Sequence, residues 1–118
     1  TMTETMTQAN PTAAGALYHD ANYVAHEWVT EGDGSFNTVL DKYTGAELAR
    51  LPNATEAQME SAIQAAHEAF PVFSQWSAGQ RSAGLERLTS LIEEHQEELA
   101  RLIMKEGGKP ISYARNEI

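Results

Sequence analysis

The feature that most constrains the fold is the run over residues 77–118, SAGQRSAGLERLTSLIEEHQEELARLIMKEGGKPISYARNEI. Leu85, Leu88, Ile92, Leu99, Leu102 and Ile103 recur at helical steps, so they line one face of a helix. Glu86, Glu93, Glu94, Glu97, Glu98 and Arg101 form the solvated side. Glu97 stands four residues before Arg101, where the two side chains can pair. The helix either bends near His95 or divides there into two closely joined helices. Gly107 and Gly108 stop it, because glycine accepts the left-handed backbone of a C-cap. Lys109-Pro110 restarts a helix, since proline is tolerated in a first turn.

Upstream, the pattern changes from helix to strand. Residues 22–29 alternate, with Val24, His26 and Trp28 on one side, and read as a single strand. Residues 30–35 (TEGDGS) are a dense turn signal, after which residues 36–40 return as a second strand. Gly32-x-Gly34 lacks a third glycine and opens no helix, so it reads as a hairpin turn rather than a phosphate loop. Residues 41–45 (DKYTG) form another turn, followed by a short strand over residues 47–51. Thr55 then caps a helix, with Gln58 in the reciprocal capping position. Met59, Ile63 and Phe70 share a face of that helix, and Pro71 ends or bends it. Phe70, Phe73 and Trp76 are expected to plug the junction between helices.

The fold class that follows is a mainly helical α+β arrangement: an N-terminal hairpin and short strands, then three to four helices. Residues 1–16, polar and threonine-rich, read as a mobile tail, leaving residues 17–118 to fold. The helices carry more apolar surface than they can hide from water. Two helices cover each other along one stripe, and Val24, Trp28, Phe36 and Val39 are the large apolar residues that the strands add. The chain is therefore expected to need the rest of a longer polypeptide or to self-associate.

Charge and cysteine content narrow the chemistry. With 17 acidic and 8 basic residues the net charge is −9, which argues against nucleic-acid or anionic-membrane partners. No apolar run approaches the roughly 18 residues of a membrane span. The N-terminal residues lack the basic start and apolar core of a signal peptide, so a cytoplasmic protein is expected. With no cysteine, the chain has no disulfide, no thiolate metal ligand and no cysteine nucleophile.

Other chemistry is also missing. His19, His26, His67 and His95 do not have metal spacing, since neither His26-Glu27 nor His67-Glu68 is followed by a second histidine. Gly107-Gly108-Lys109 ends like a phosphate loop, but Pro110 replaces the hydroxyl residue that holds magnesium. Glu93-Glu94 and Glu97-Glu98 read as a solvated face. No serine sits in a nucleophile elbow. The expected catalytic set within this chain is none.

One resemblance accounts for that absence. Arg-x-x-x-Leu runs into Leu-Ile-Glu-Glu-x-x-Glu-Glu-Leu-Ala, followed by Gly-Lys-Pro and Ala-Arg-x-Glu-Ile. In this order the motifs resemble the start of the aldehyde dehydrogenase superfamily, from about Tyr23 to Ile118. The resemblance implies an N-terminal portion of an α/β, Rossmann-like NAD-binding domain from a much longer enzyme. That enzyme would oxidise an aldehyde to a carboxylic acid, using a cysteine thiolate, a glutamate and NAD(P), all held outside this chain. No cofactor is expected on the chain alone. The family turn commonly reads Asn-Pro-x-Thr-Gly-Glu; Thr44-Gly45 match it, while Asp41, Lys42 and Ala46 depart from it. The resemblance also implies a monovalent cation site from the backbone carbonyls of Val39 and Leu40 with the carboxylate of Glu106. Read from its residues alone, Glu106 is a solvent-exposed carboxylate at a helix end. It sits badly against the helix dipole, a hint of positive charge nearby. The rival reading is a small acidic helical protein–protein interaction module with no enzymatic activity.

Overall fold

Two antiparallel hairpins precede four helices in a computed structural model that describes residues 17–118. The tail expected over residues 1–16 lies outside the described residues. Strands β1 (Asn22–Val24) and β2 (Glu27–Val29) pair through Asn22↔Val29, Tyr23↔Trp28 and Val24↔Glu27. Ala25 and His26 make the reversal at φ 49° and 70°. A two-residue turn with both central φ positive matches the twist of the strands it joins, and usually employs asparagine or glycine. Neither is present, so the sequence reads as one strand where the structure has a hairpin.

Strands β3 (Phe36–Leu40) and β4 (Glu47–Pro52) form the second hairpin. Their register runs from Phe36↔Pro52 to Val39↔Ala49 and then slips to Leu40↔Glu47. Leu48 is the extra residue of a β-bulge. Regular alternation would send neighbours to opposite faces. The bulge instead allows Leu48 and Ala49, adjacent in sequence, both to be buried.

The expected hairpin turn over residues 30–35 is a correction. β2 and β3 belong to separate sheets, and the segment between them is a connection. It is anchored to the far end of β4. Asp33 N–H donates to the Asn53 carbonyl at 2.9 Å, and Asn53 N–H donates to the Ser35 carbonyl at 3.0 Å. The Asp33 carboxylate accepts from Ser35 N–H and hydroxyl at 2.8 and 2.6 Å. Gly32 is required by contact: a Cβ there would lie 1.9 Å from the Asn53 carbonyl oxygen.

Helix α1 (Glu56–Phe73) begins at the Thr55/Gln58 capping box. Pro71 falls in its last turn, and the helix continues to Phe73. Helix α2 (Ala78–Glu94) has a second capping box, Ser77 with Gln80. His95, at φ −104° and ψ 16°, separates α2 from α3 (Gln96–Gly107). Gly108 ends α3 at φ 71°, and Pro110 directly precedes α4 (Ile111–Glu117).

Packing is uneven. Helix α3 packs against α4, α2 and β3, and α1 packs against β1. Ala100 of α3 and Ala114 of α4 are both 0% exposed, so small side chains sit where those helices meet. The expected cover of α1 by α2 is corrected: no extensive packing joins them. Phe70 is 67% and Leu85 65% exposed, and Met59, Ile63, Val72, Phe73, Trp76 and Leu88 are exposed with them. Phe73 and Trp76 do touch, with ring centroids 5.2 Å apart, but on the surface.

Gly32→Ala is expected to destabilise the connection by about 1–3 kcal/mol, the usual cost of forcing extra atoms into a filled space. Amide hydrogen exchange at Asp33 and Asn53 should accelerate first. Unchanged exchange at both would contradict the close approach.

Candidate functional site

The implied cation-site residues gather at the corner where the β3–β4 turn meets the end of α3. Asp41 builds the turn: its carboxylate accepts from Tyr43 N–H at 2.8 Å and Thr44 N–H at 3.1 Å. Its own N–H donates to the Ala46 carbonyl at 2.9 Å, and Gly45 closes the turn at φ 73°. The two backbone donors hold the Asp41 carboxyl below its ordinary range, with the Lys105 charge adding to them. Aspartate here replaces asparagine without loss of the turn.

That turn delivers Lys42 to the helix. Lys42 N–H donates to the Lys105 carbonyl at 2.9 Å, satisfying one of the carbonyls that a helix end leaves open. The Tyr43 hydroxyl donates to the Gly108 carbonyl at 3.3 Å. A Cβ on Gly108 would come within 3.1 Å of the Lys42 Cβ, so the lysine stem lies against the C-cap. The Lys42 ammonium then turns back to the Leu40 carbonyl at 3.4 Å.

Each expected residue has a definite place. Val39 is half-buried on β3 opposite Ala49, and Leu40 ends that strand. Glu106 is exposed in the last turn of α3, one residue beyond the carbonyl that holds Lys42. Its charge is felt by Tyr18, whose hydroxyl is raised by burial first and then by Glu106 and Asp20. Among the described residues no group of three or more His, Cys, Asp or Glu could hold a metal.

Two of the four histidines make side-chain contacts of their own. His19 stacks on Trp28 with centroids 3.8 Å apart, and His95 Nδ1 lies 3.9 Å from Glu98 Oε2 at the helix break. The strand-to-helix connection from β4 to α1 is Asn53, Ala54 and Thr55, with no glycine. Glu56 adds negative charge to the first turn of α1, and Thr55 occupies the Gln58 N–H. The glycine-rich turn that commonly cradles a pyrophosphate is not the sequence of this connection.

A second polar cluster secures α4, and sequence reasoning overlooked half of it. Glu97 pairs with Arg101 at 3.2 Å, as the spacing implied. It is held more firmly by Arg115 of α4, through Nε and Nη2 at 2.8 Å each. Lys109 also pairs with Glu117. The Arg115 contact spans 18 residues and crosses a helix break, so no helical spacing announces it.

Residues 28–118 match the model of the aldehyde dehydrogenase family. The chain belongs to that family. It is 41% identical over 91 residues to a 3-sulfolactaldehyde dehydrogenase of Pseudomonas putida, a match that covers 77% of this chain and 19% of the relative. An NADP-dependent enzyme of E. coli has a crystal structure that superimposes with a TM-score of 0.81 at 31% identity. That match covers 86% of this chain and 21% of the other. An NAD-dependent benzaldehyde dehydrogenase of Corynebacterium glutamicum gives a TM-score of 0.78 at 28% identity, covering 96% of this chain and 23% of that one. The chain thus spans about a fifth of the length of the family members it matches. The fold expected from the residue pattern, short strands followed by helices, is the fold observed.

Protonating Glu97 should loosen α4. Hydrogen bonding to Arg115 lowers the Glu97 pKa, the ion-pair attraction adding to it. A depressed folded-state pKa means the clamp is complete above the unfolded value of about 4.3 and is lost as pH falls through the lower folded one. The Arg115 Nε–H resonance should move with pH below about 4.3, and Glu97→Gln should remove that movement. A resonance insensitive to both changes would contradict the pairing.

Proposed function

We propose that this chain is the N-terminal portion of an NAD(P)-dependent aldehyde dehydrogenase that oxidises an aldehyde to a carboxylic acid. Residues 17–118 would pack beside the dinucleotide-binding sheet of that enzyme as part of its NAD-binding domain. The observation that carries the reading is the exposed apolar band running along α1 and α2, in a chain matching the family over residues 28–118. Phe70, Val72, Phe73, Trp76, Leu85 and Leu88 need a cover, and the remainder of the family polypeptide would supply it. NAD(P) is the cofactor of the whole enzyme in this reading, supported by the cofactors that the two structural relatives are named for.

The chain by itself supplies framework rather than chemistry. The family reaction needs a thiolate to attack the aldehyde, and the chain has no cysteine. A cytoplasmic location belongs to the same proposal. Among the described residues no helix is long and apolar enough to cross a membrane. The same exposed band favours one rival, an acidic interaction module that binds a different protein.

The isolated chain is expected to show no NAD(P)-dependent aldehyde oxidation and no nucleotide binding by calorimetry. It should also bind a hydrophobic dye and self-associate in light scattering. Each large aliphatic group left in water forfeits about 1.5–3 kcal/mol of burial. Domains are stable by only about 5–15 kcal/mol, so three or four such groups decide the balance. A monodisperse monomer with a sharp cooperative unfolding transition would overturn the fragment reading in favour of the independent module. Micromolar NAD binding would mean that a nucleotide site exists within these residues.

A further inference from the structure

We propose that the outer edge of β3 pairs with β3 of a second copy of this chain, antiparallel and centred on Thr38. The two β3–β4 hairpins then form one four-stranded sheet. This goes beyond the dehydrogenase reading, because it concerns a strand edge rather than the apolar band of α1 and α2.

The register of the hairpin decides which backbone groups face outward. Residues directly opposite in an antiparallel pair either bond each other or both turn away, in alternation. Arg50 N–H donates to the Asp20 carboxylate at 3.2 Å, so Arg50 faces away from β3. Thr38 lies opposite Arg50 and therefore faces away from β4. The Pro52 carbonyl accepts from Asn22 Nδ2 at 2.9 Å, and Phe36 opposite it turns outward as well. The bond from Asn53 N–H to the Ser35 carbonyl, one step further along, fits the same alternation. The outer edge of β4 is thus capped by Asp20 and Asn22. Thr38 has no such cap among the described residues, and Phe36, Thr38 and Leu40 are all exposed. Helix α3 bonds this hairpin at its turn, through Lys42 and Lys105, and not at Thr38.

The residues of the edge themselves select the occupant. FNTVL carries neither the charge nor the proline that commonly blunts an exposed edge. Turned about Thr38, the segment is complementary to itself. Thr38 meets Thr38 of the second copy, and the two exchange N–H···O bonds in both directions. Phe36 meets Leu40 of the second copy, so side chains now 44% and 42% exposed cover each other in cross-strand pairs. Further out, Ser35 meets Asp41, Gly34 meets Lys42 and Asp33 meets Tyr43, so no like charges stand opposite. That absence matters in a chain of net charge −9, where most encounters between copies set acid against acid.

The test places single cysteines in the full chain, which has none of its own. Thr38→Cys sets two thiols at the centre of the pairing with Cα atoms about 5.5 Å apart, within disulfide reach. Under mild oxidation it should form a disulfide dimer at least about tenfold faster than Ser112→Cys on exposed α4, because pairing raises the effective thiol concentration. Adding Phe36→Pro removes an outward N–H, leaves the ladder to β4 intact and should abolish that advantage. Adding Leu88→Glu instead, which puts charge into the apolar band of α2, should preserve it. In the unaltered chain, exchange of the Thr38 amide should slow as concentration rises, while the Asn37 and Val39 amides, which face β4, do not respond. A Thr38→Cys dimer forming no faster than the Ser112→Cys dimer, or one lost with Leu88→Glu, would overturn the proposal. So would a Thr38 amide indifferent to concentration, or equal slowing of all three amides. The β3 edge would then be left to a strand of a different protein. Activity and nucleotide binding enter none of these measurements, so they stand apart from the dehydrogenase reading.

Discussion

The hydrogen bond from Lys42 N–H to the Lys105 carbonyl joins the strand half of the molecule to the helical half. Few buried side chains are available to do that work. Leu48 and Ala49 are buried on the strand side, and Ala100 and Ala114 on the helical side. None is large enough to form a core of its own. The elements are instead set by polar contacts across long sequence separations. Tyr43 reaches Gly108, Leu17 N–H reaches Glu98 at 2.9 Å, Arg50 N–H reaches Asp20 at 3.2 Å, and Gln58 reaches the Glu31 carbonyl at 2.8 Å. All but the part-buried Leu17–Glu98 bond are exposed, and exposed bonds are individually weak because water competes for both partners. They fix direction better than they supply stability.

This division leaves the chain with the local framework of a larger fold and little core of its own. The local rules of a larger fold are intact: capped helices, a bulged hairpin, a glycine stop and a close glycine approach. The surface that those rules organise is left largely in water on α1 and α2. A polypeptide built this way carries the shape of one part of the family fold while much of its apolar surface stays uncovered.

Sequence legibility follows the range of the interactions. The capping box at Thr55, the break at His95 and the left-handed stop at Gly108 are short-range devices, and each was readable. The capping box at Ser77 and Gln80 was equally present in the letters but went unread. The Ala25-His26 turn was not readable, since nothing in those two residues advertises a left-handed backbone. Pairing β3 with β4 rather than with β2 depended on Asn53, seventeen residues beyond Phe36, which ties down the connection that resembled a hairpin turn. Within the candidate site, Val39, Leu40 and Glu106 came from the resemblance. Lys42 was visible as a departure from the family turn, but its bond to Lys105 required the three-dimensional approach of α3.

Ala100 and Ala114 have one further consequence, a mechanical one. Two methyl groups act as the spacer between α3 and α4, and α4 is only seven residues, about 10 Å, long. In an enclosed core, an added side chain is trapped and strain accumulates. Here the exposed Ser112, Tyr113 and Asn116 leave the outer side of α4 open, so the helix can tilt about its Arg115–Glu97 clamp when the spacer is enlarged. The spacer thus behaves as the fulcrum of a short lever. Bulk added at either alanine would be converted chiefly into a change in the direction of α4, and misdirection rather than unfolding would be its signature.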